Sequence, residues 1–308
     1  MNIAIAGSGA MGCRFGSMLD ESGNSVLLVD NWKEHIETIN NRGLTIINES
    51  GTHNQKITAC IPEEAGDKVD LLIVFTKAMH TESMVNRCQK LIGENTRVVT
   101  LQNGLGNIET LEKYVPRNRI IAGVTTFGTE LLGPGEIQAL GSGRVQIMQA
   151  DREETKEIQE VAYIMNEAGM NVEISANVSV SIWNKVAFNC VLNTLCTLMR
   201  DTVSAVGSYS EINDVINEII DEIILVAGEE EIYLNKDSIM NMITAVFDLK
   251  MSGNHLPSMH QDMVNRRKTE IDFLNGAIVK KADLYQISVP VNRFIVHLIK
   301  MMEEIRGN

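Results

Sequence analysis

The sequence predicts an α/β protein: a doubly wound, largely parallel sheet first and an all-helical domain after it. Three observations predict this. Short runs of Val, Ile and Leu alternate with helix-period segments up to residue 175. A glycine-rich turn separates the first apolar run from the first helical pattern. Beyond residue 175 strand signals nearly vanish and long helical periods take over. The expected domains are therefore 1–175 and 176–308.

The candidate strands are Asn2–Ala6, Ser25–Val29, Leu44–Ile47, Asp70–Thr76, Arg97–Leu101 and Arg119–Thr126. Most lack polar alternation, as strands covered on both faces do. Helical patterns lie between them, over Ala10–Glu21, Lys33–Asn40, Thr81–Leu91 and Asn107–Lys113. Gly135–Leu140 and Arg144–Met148 read as a hairpin across Gly141-Ser142-Gly143. A helix over Arg152–Ala168 and a strand over Asn171–Ile174 follow. The second half reads as helices over Val178–Met199, Glu211–Tyr233, Ser238–Met251, Arg266–Tyr285 and Val291–Ile305. Glu211–Asp237 holds nine acids and one Lys, the pattern of a solvated helix face.

Composition narrows the function. The 308 residues include 40 acidic and 27 basic side chains, a net charge of −13. Such a chain is a poor ligand for nucleic acid, whose phosphates need a basic surface, and for anionic membranes. It has no run of about 18 apolar residues to span a bilayer. Its start shows no basic segment leading into an apolar stretch, so no signal peptide is expected. The five cysteines are scattered and odd in number, which fits reduced thiols in the cytoplasm. With no C-x-x-C and no H-x-x-x-H pair, no metal site is expected.

The clearest motif is Gly7-Ser8-Gly9-Ala10-Met11-Gly12. An apolar strand precedes it and a helical pattern follows, the context of a dinucleotide-binding turn. Gly7 permits the tight turn, Gly9 lets the backbone approach a pyrophosphate, and Gly12 lets the helix pack on the strand. Asp30 ends the second strand, 18 residues past Gly12. A carboxylate there accepts from the ribose hydroxyls and repels a 2′-phosphate, and Asn31-Trp32-Lys33 contains no Arg. This favours NAD(H) over NADP(H), although Asp30 also suits the cap of the following helix. Lys77 and Asn103 end further strands, where open α/β sheets bind ligands. Taken alone, each equally suits a solvated loop or a simple turn.

In the second half Lys185, Asn189 and Asn193 recur every four residues and so share one helix face. The rest of that helix is almost wholly apolar, so these polar groups need partners, in solvent or in a polar cleft. Glu270 reads as a helical residue beside the apolar Ile271, Leu274 and Ile278, and alone suits the surface.

These blocks together resemble the ketopantoate reductase family. The resemblance runs the length of the chain. It rests on Gly7–Gly12, Thr76-Lys77-Ala78, Gln102-Asn103-Gly104-Leu105-Gly106, the block from Trp183 to Asn193, and Pro257-Ser258-Met259 through Thr269-Glu270 to Gly276. It implies a Rossmann domain joined to a helical domain like that of 6-phosphogluconate dehydrogenase, with the active site between them. It also implies a catalytic role for Lys185 and Glu270 and substrate contacts for Asn189, Asn193 and Ser258. Lys77 and Asn103 match positions beside the nicotinamide, and Thr129 matches a cofactor-lining position. The implied reaction reduces a small-molecule 2-oxo acid to the (R)-2-hydroxy acid with NAD(P)H, ketopantoate being the family's namesake substrate. The family typically uses NADPH, from which Asp30 departs. The D-mandelate type of NAD-dependent D-2-hydroxyacid dehydrogenase shares the acidic residue and looks similar at Gly133-Pro134-Gly135 and Trp183, so it is the alternative. A protein that senses NAD(H) without turnover is a distant third; it needs no Lys185–Asn189–Asn193 stripe. The apolar helices of the second half suit either a homodimer interface or a domain core.

Overall fold

Five apolar runs at the centre of the first sheet are buried along almost their whole length, which is why they pair in parallel beneath covering helices. The computed structural model describes residues 1–248 and 253–307. These form two units, Met1–Gln102 with Asn107–Val178, and Asn103–Gly106 with Ser179–Asn308.

The first unit carries β1 (Asn2–Ala6), β2 (Ser25–Val29), β3 (Leu44–Asn48), β4 (Gly51–Gln55), β5 (Thr58–Cys60), β6 (Leu71–Val74), β7 (Arg97–Thr100), β8 (Ile120–Thr125), β9 (Gly128–Gly133), β10 (Glu136–Leu140), β11 (Val145–Gln149) and β12 (Val172–Ile174). The large sheet has the order β12-β11-β8-β7-β6-β1-β2-β5. All its pairs are parallel except β11 with β8. The chain runs outward from β1 to β2 and β5, then crosses back to β6 on the other side of β1. The carboxyl ends of β1 and β6 are thus the switch point at which such sheets hold ligands. The helices of this unit are α1 (Ala10–Glu21), α2 (Lys33–Arg42), α3 (Thr81–Arg87), α4 (Asn107–Leu111) and α5 (Lys156–Glu167).

A second sheet, β4-β3-β10-β9, corrects the expected hairpin. β10 pairs with β9 and β3, whereas β11 pairs with β8 and β12 in the large sheet. Gly141-Ser142-Gly143 is therefore a crossover between sheets rather than a hairpin turn. Arg14 of α1 holds the departing strand by donating to the carbonyls of Gly128, Leu140 and Gly141. On the other side the amide of Thr126 donates to the Arg144 carbonyl and starts the pairing of β8 with β11. The β9–β10 turn is Gly133-Pro134-Gly135, with Gly135 at φ +68°. β4, which reads Gly-Thr-His-Asn-Gln and is largely exposed, carries no apolar period to betray it.

Nearly all of the second unit is helix: α6 (Val178–Met199), α7 (Val203–Gly207), α8 (Ile212–Glu229), α9 (Lys236–Ala245), α10 (Ser258–Val264), α11 (Asn275–Tyr285) and α12 (Pro290–Gly307). Trp183, Val186, Ala187, Cys190 and Val191 of α6 share one core with Ile216, Ile219 and Ile223 of α8, Ile278 of α11 and Ile299 of α12. Each of the Val and Ile side chains contributes about 1.5–3 kcal/mol on burial, so this helix is the spine of the unit.

Four expectations change here. The helix expected over Arg266–Tyr285 starts only at Asn275, because Arg266 adopts φ +54° and closes α10. Glu270 therefore sits in a turn that leads into a short 3₁₀ segment, Ile271–Phe273, and not within a helix. The pattern over Thr81–Leu91 breaks at Cys88 into α3 and a 3₁₀ turn. The acidic run is mostly solvated, but Glu222 is buried and accepts from the amides of Val291 and Asn292, both at 2.8 Å. It thereby caps the start of α12, where backbone donors lack helical partners. Of the helix expected over Ser238–Met251, residues 249–251 lie outside the described residues.

Candidate functional site

The glycine turn shows why its residues are what they are. Gly7 follows β1 at φ +95°, and a Cβ there would lie 2.4 Å from the Thr76 nitrogen beyond β6. A Cβ on Gly12 would lie 2.0 Å from the Gly7 carbonyl oxygen. Both positions must be glycine for α1 to start so close to the strand ends. Gly9 differs: a Cβ there meets no protein atom within 4 Å. Ala10 and Met11 open α1, whose first turn has neither an acidic residue nor a side-chain cap. Its leading N–H groups and helix dipole are thus available to an anion lying over Gly9.

Ser8 is fully buried and its hydroxyl has no hydrogen-bond partner. Its carbonyl accepts from the Cys13 thiol at 3.0 Å and from His35 Nε2 at 2.8 Å. His35 Nδ1 in turn accepts from the Gly135 amide at 2.9 Å. This pairing requires the neutral imidazole, and burial lowers the His35 pKa accordingly. The turn is thereby tied to the β9–β10 connection, a link that local sequence does not signal.

Asp30 follows β2, and its Oδ1 accepts from the amides of Asn31 at 2.7 Å and Trp32 at 3.0 Å. One carboxylate oxygen thus shapes the loop into α2. Lys77 follows Thr76 at the end of β6, beside the glycine turn. Gln102, beyond β7, braces this edge by donating to the Thr76 carbonyl at 2.6 Å and to the Thr81 hydroxyl at 2.7 Å. Thr129 lies on β9 next to Gly128, whose carbonyl Arg14 holds, and its hydroxyl is buried without a hydrogen-bond partner. In the first unit the structure thus gathers Gly7–Gly12, Asp30 and Lys77 at one edge of the sheet, with Thr129 on the sheet that α1 supports. The open space over Gly9 and the uncapped helix start fit a pyrophosphate.

In the second unit Lys185, Asn189 and Asn193 lie on successive turns of α6. Both asparagines are buried. Burial lowers the Lys185 pKa to about 8, while the Glu270 carboxylate acts to raise it. Glu270 is held by its turn: Ile271 is fully buried, and the Phe273 carbonyl accepts from the Leu105 amide at 2.9 Å. Gly104 stands at φ +87° with its Cα against Phe273, where a Cβ would lie 2.4 Å from the carbonyl oxygen. The segment Asn103–Gly106 is thereby docked beside the Glu270 turn. Ser258 is exposed at the start of α10, and His260 two residues on bonds the Cys196 carbonyl of α6 at 3.1 Å. Lys185 and Glu270 are coupled electrostatically, Asn103 stands by the Glu270 turn, and Ser258 opens a helix tied to α6. Among the described residues no cluster of His, Cys, Asp and Glu could hold a metal ion, and no helix is long and apolar enough to cross a membrane.

The chain matches known proteins along almost its whole length. The family described as Ketopantoate reductase PanE/ApbA matches residues 3–152, and its C-terminal counterpart matches residues 177–303. A 2-dehydropantoate 2-reductase of Lactococcus lactis subsp. lactis is 36% identical, with 99% of each chain covered. One from Pyrococcus horikoshii is 31% identical over 100% of this chain and 99% of its own. Among solved structures, the ternary structure of D-mandelate dehydrogenase with NADH and anilino(oxo)acetate superposes with a TM-score of 0.96 at 37% identity, covering 100% of both chains.

Proposed function

The chain belongs to the ketopantoate reductase family, and on that premise we propose that it is an NAD(P)H-dependent oxidoreductase reducing a 2-oxo acid to the (R)-2-hydroxy acid, with ketopantoate as its first substrate. The observation that carries the reading is Lys185, half-buried on α6 in line with the buried Asn189 and Asn193, its pKa lowered to about 8 by desolvation and opposed by Glu270.

When bound, the nicotinamide cofactor supplies the hydride. The N–H groups at the start of α1 and the turn Gly7–Gly12 hold its pyrophosphate. Lys77, Asn103 and Thr129 serve as its further contacts. Asp30 accepts from the adenosine ribose and disfavours a 2′-phosphate, so NADH is the preferred form. The NADH named in the structure of the similar D-mandelate dehydrogenase supports this preference.

As C2 of the substrate gains hydride, its carbonyl oxygen gains negative charge. The Lys185 ammonium stabilises that charge and delivers the proton, ending as the neutral amine. A pKa near 8 keeps it mostly protonated at neutral pH yet ready to release the proton. Glu270 favours the protonated form of Lys185. Asn189, Asn193 and Ser258 hold the substrate through neutral hydrogen bonds.

The second reading is an NAD-dependent D-2-hydroxyacid dehydrogenase of the D-mandelate type, favoured by Asp30 and by the likeness just described. Initial rates with ketopantoate and phenylglyoxylate, each with NADH and NADPH, decide between them. Faster ketopantoate reduction supports the first reading, and faster phenylglyoxylate reduction with NADH supports the second.

A further inference from the structure

The loop after β2 contains no arginine of its own, but the fold brings one to it. Arg87, at the end of α3, donates through Nη1 to the Asn31 side-chain oxygen, one residue past Asp30. Its other two nitrogens are engaged as well. Nε donates to Glu63 Oε1 at 2.5 Å and Nη2 to Oε2 at 2.7 Å, a bidentate pair. Glu63 lies in the short 3₁₀ segment Pro62–Glu64, just beyond β5, the strand that flanks β2. A guanidinium beside the carboxyl end of β2 is the group that accommodates a 2′-phosphate in dinucleotide-binding folds.

We infer that Glu63 is a specificity-determining residue: by occupying the Arg87 fork it withholds from the 2′-phosphate of NADP(H) the cation that would otherwise bind it. This rests on the cofactor reading above and extends it from Asp30 to a residue beyond β5, more than thirty positions later in the chain. Two carboxylates then act differently. Asp30 repels the extra phosphate, and Glu63 silences its natural partner. Stability does not account for the pair, since the Arg87 and Glu63 side chains are 35% and 54% exposed and exposed ion pairs contribute little. Arg87 holds the Glu63 carboxyl below the usual range, so the pair persists at neutral pH. Lys33 also favours the charged form of Glu63, which makes Arg87 the group to isolate in the test.

The experiment is calorimetric titration of the intact protein with NADH, ADP and 2′,5′-ADP, for wild type, Glu63→Ala, Glu63→Gln and Glu63→Ala/Arg87→Ala. Glu63→Ala and Glu63→Gln should each tighten 2′,5′-ADP about tenfold while leaving ADP and NADH within about twofold. The double variant should lose that gain. An unchanged 2′,5′-ADP affinity in both single variants, with NADH still bound, overturns the inference alone. A gain that survives in the double variant also overturns it, because the cation is then not Arg87. Failure of the wild type to bind NADH overturns the cofactor reading together with the inference.

Discussion

Lys185 and Glu270 form an opposed pair: burial pushes the ammonium pKa down to about 8, and the carboxylate 85 residues later in the chain pulls it back up. The pair joins the longest apolar helix of the second unit to a turn that the loop Asn103–Gly106 braces. The chemistry proposed here depends on that balance.

Replacing Lys185 removes the proposed proton donor. Lys185→Ala should lower kcat by about a hundredfold or more, the usual scale of a lost general acid. Lys185→Arg should not restore it, because guanidinium keeps its proton. Steady-state rates of NADH oxidation check both, and turnover near wild type in either variant contradicts the role.

The pH dependence follows from the sign of the shift. Reduction needs the protonated Lys185, so kcat should fall as pH rises through about 8. Oxidation of the hydroxy acid needs the neutral amine and should rise over the same range. Glu270 raises the Lys185 pKa, so Glu270→Gln should move both limbs to lower pH. A purely structural glutamate would reduce the amount of folded enzyme without moving the profile.

Asp30→Ala removes a negative charge from the proposed ribose site. The ratio of NADPH to NADH dissociation constants should fall by about tenfold, equivalent to about 1.4 kcal/mol. Fluorescence titration measures it. A wild type that already prefers NADPH contradicts the reading of Asp30.

Two glycines should behave in opposite ways. Gly9→Ala adds a methyl into space empty of protein, so it should leave Tm unchanged and weaken NADH binding. Gly104→Ala forces a Cβ to 2.4 Å from the Phe273 carbonyl at φ +87°, and should destabilise the fold by about 1–3 kcal/mol. Thermal unfolding with and without NADH separates the two.

Much of this architecture was legible before the structure. β1, β2 and α1 begin and end where their apolar periods and neighbouring glycines place them, and α6 where its apolar period does. What stayed hidden was non-local. β10 and β11 look like one hairpin in sequence because each is a short apolar run beside glycine. They part because Arg14, more than a hundred residues earlier, anchors one while Thr126 pairs the other. The Glu270 turn looked helical because Ile271, Leu274 and Ile278 keep a helical spacing. Only the left-handed Arg266 and the docking of Leu105 on Phe273 show the break. His35 and Arg87 carried no local signal, and Gln102 stood in a strand-end motif that did not reveal its partners, since each acts on a segment distant in the chain. The stripe Lys185–Asn189–Asn193 was visible because helical geometry alone puts residues four apart on one face.

The pH profile of NADH-dependent 2-oxo acid reduction, with ketopantoate and phenylglyoxylate, for wild type and Glu270→Gln tests the Lys185–Glu270 pair itself. Turnover should decline through about pH 8 in the wild type and at lower pH in the variant. Absence of turnover with both acids, or a limb that Glu270→Gln leaves in place, would contradict the proposed chemistry.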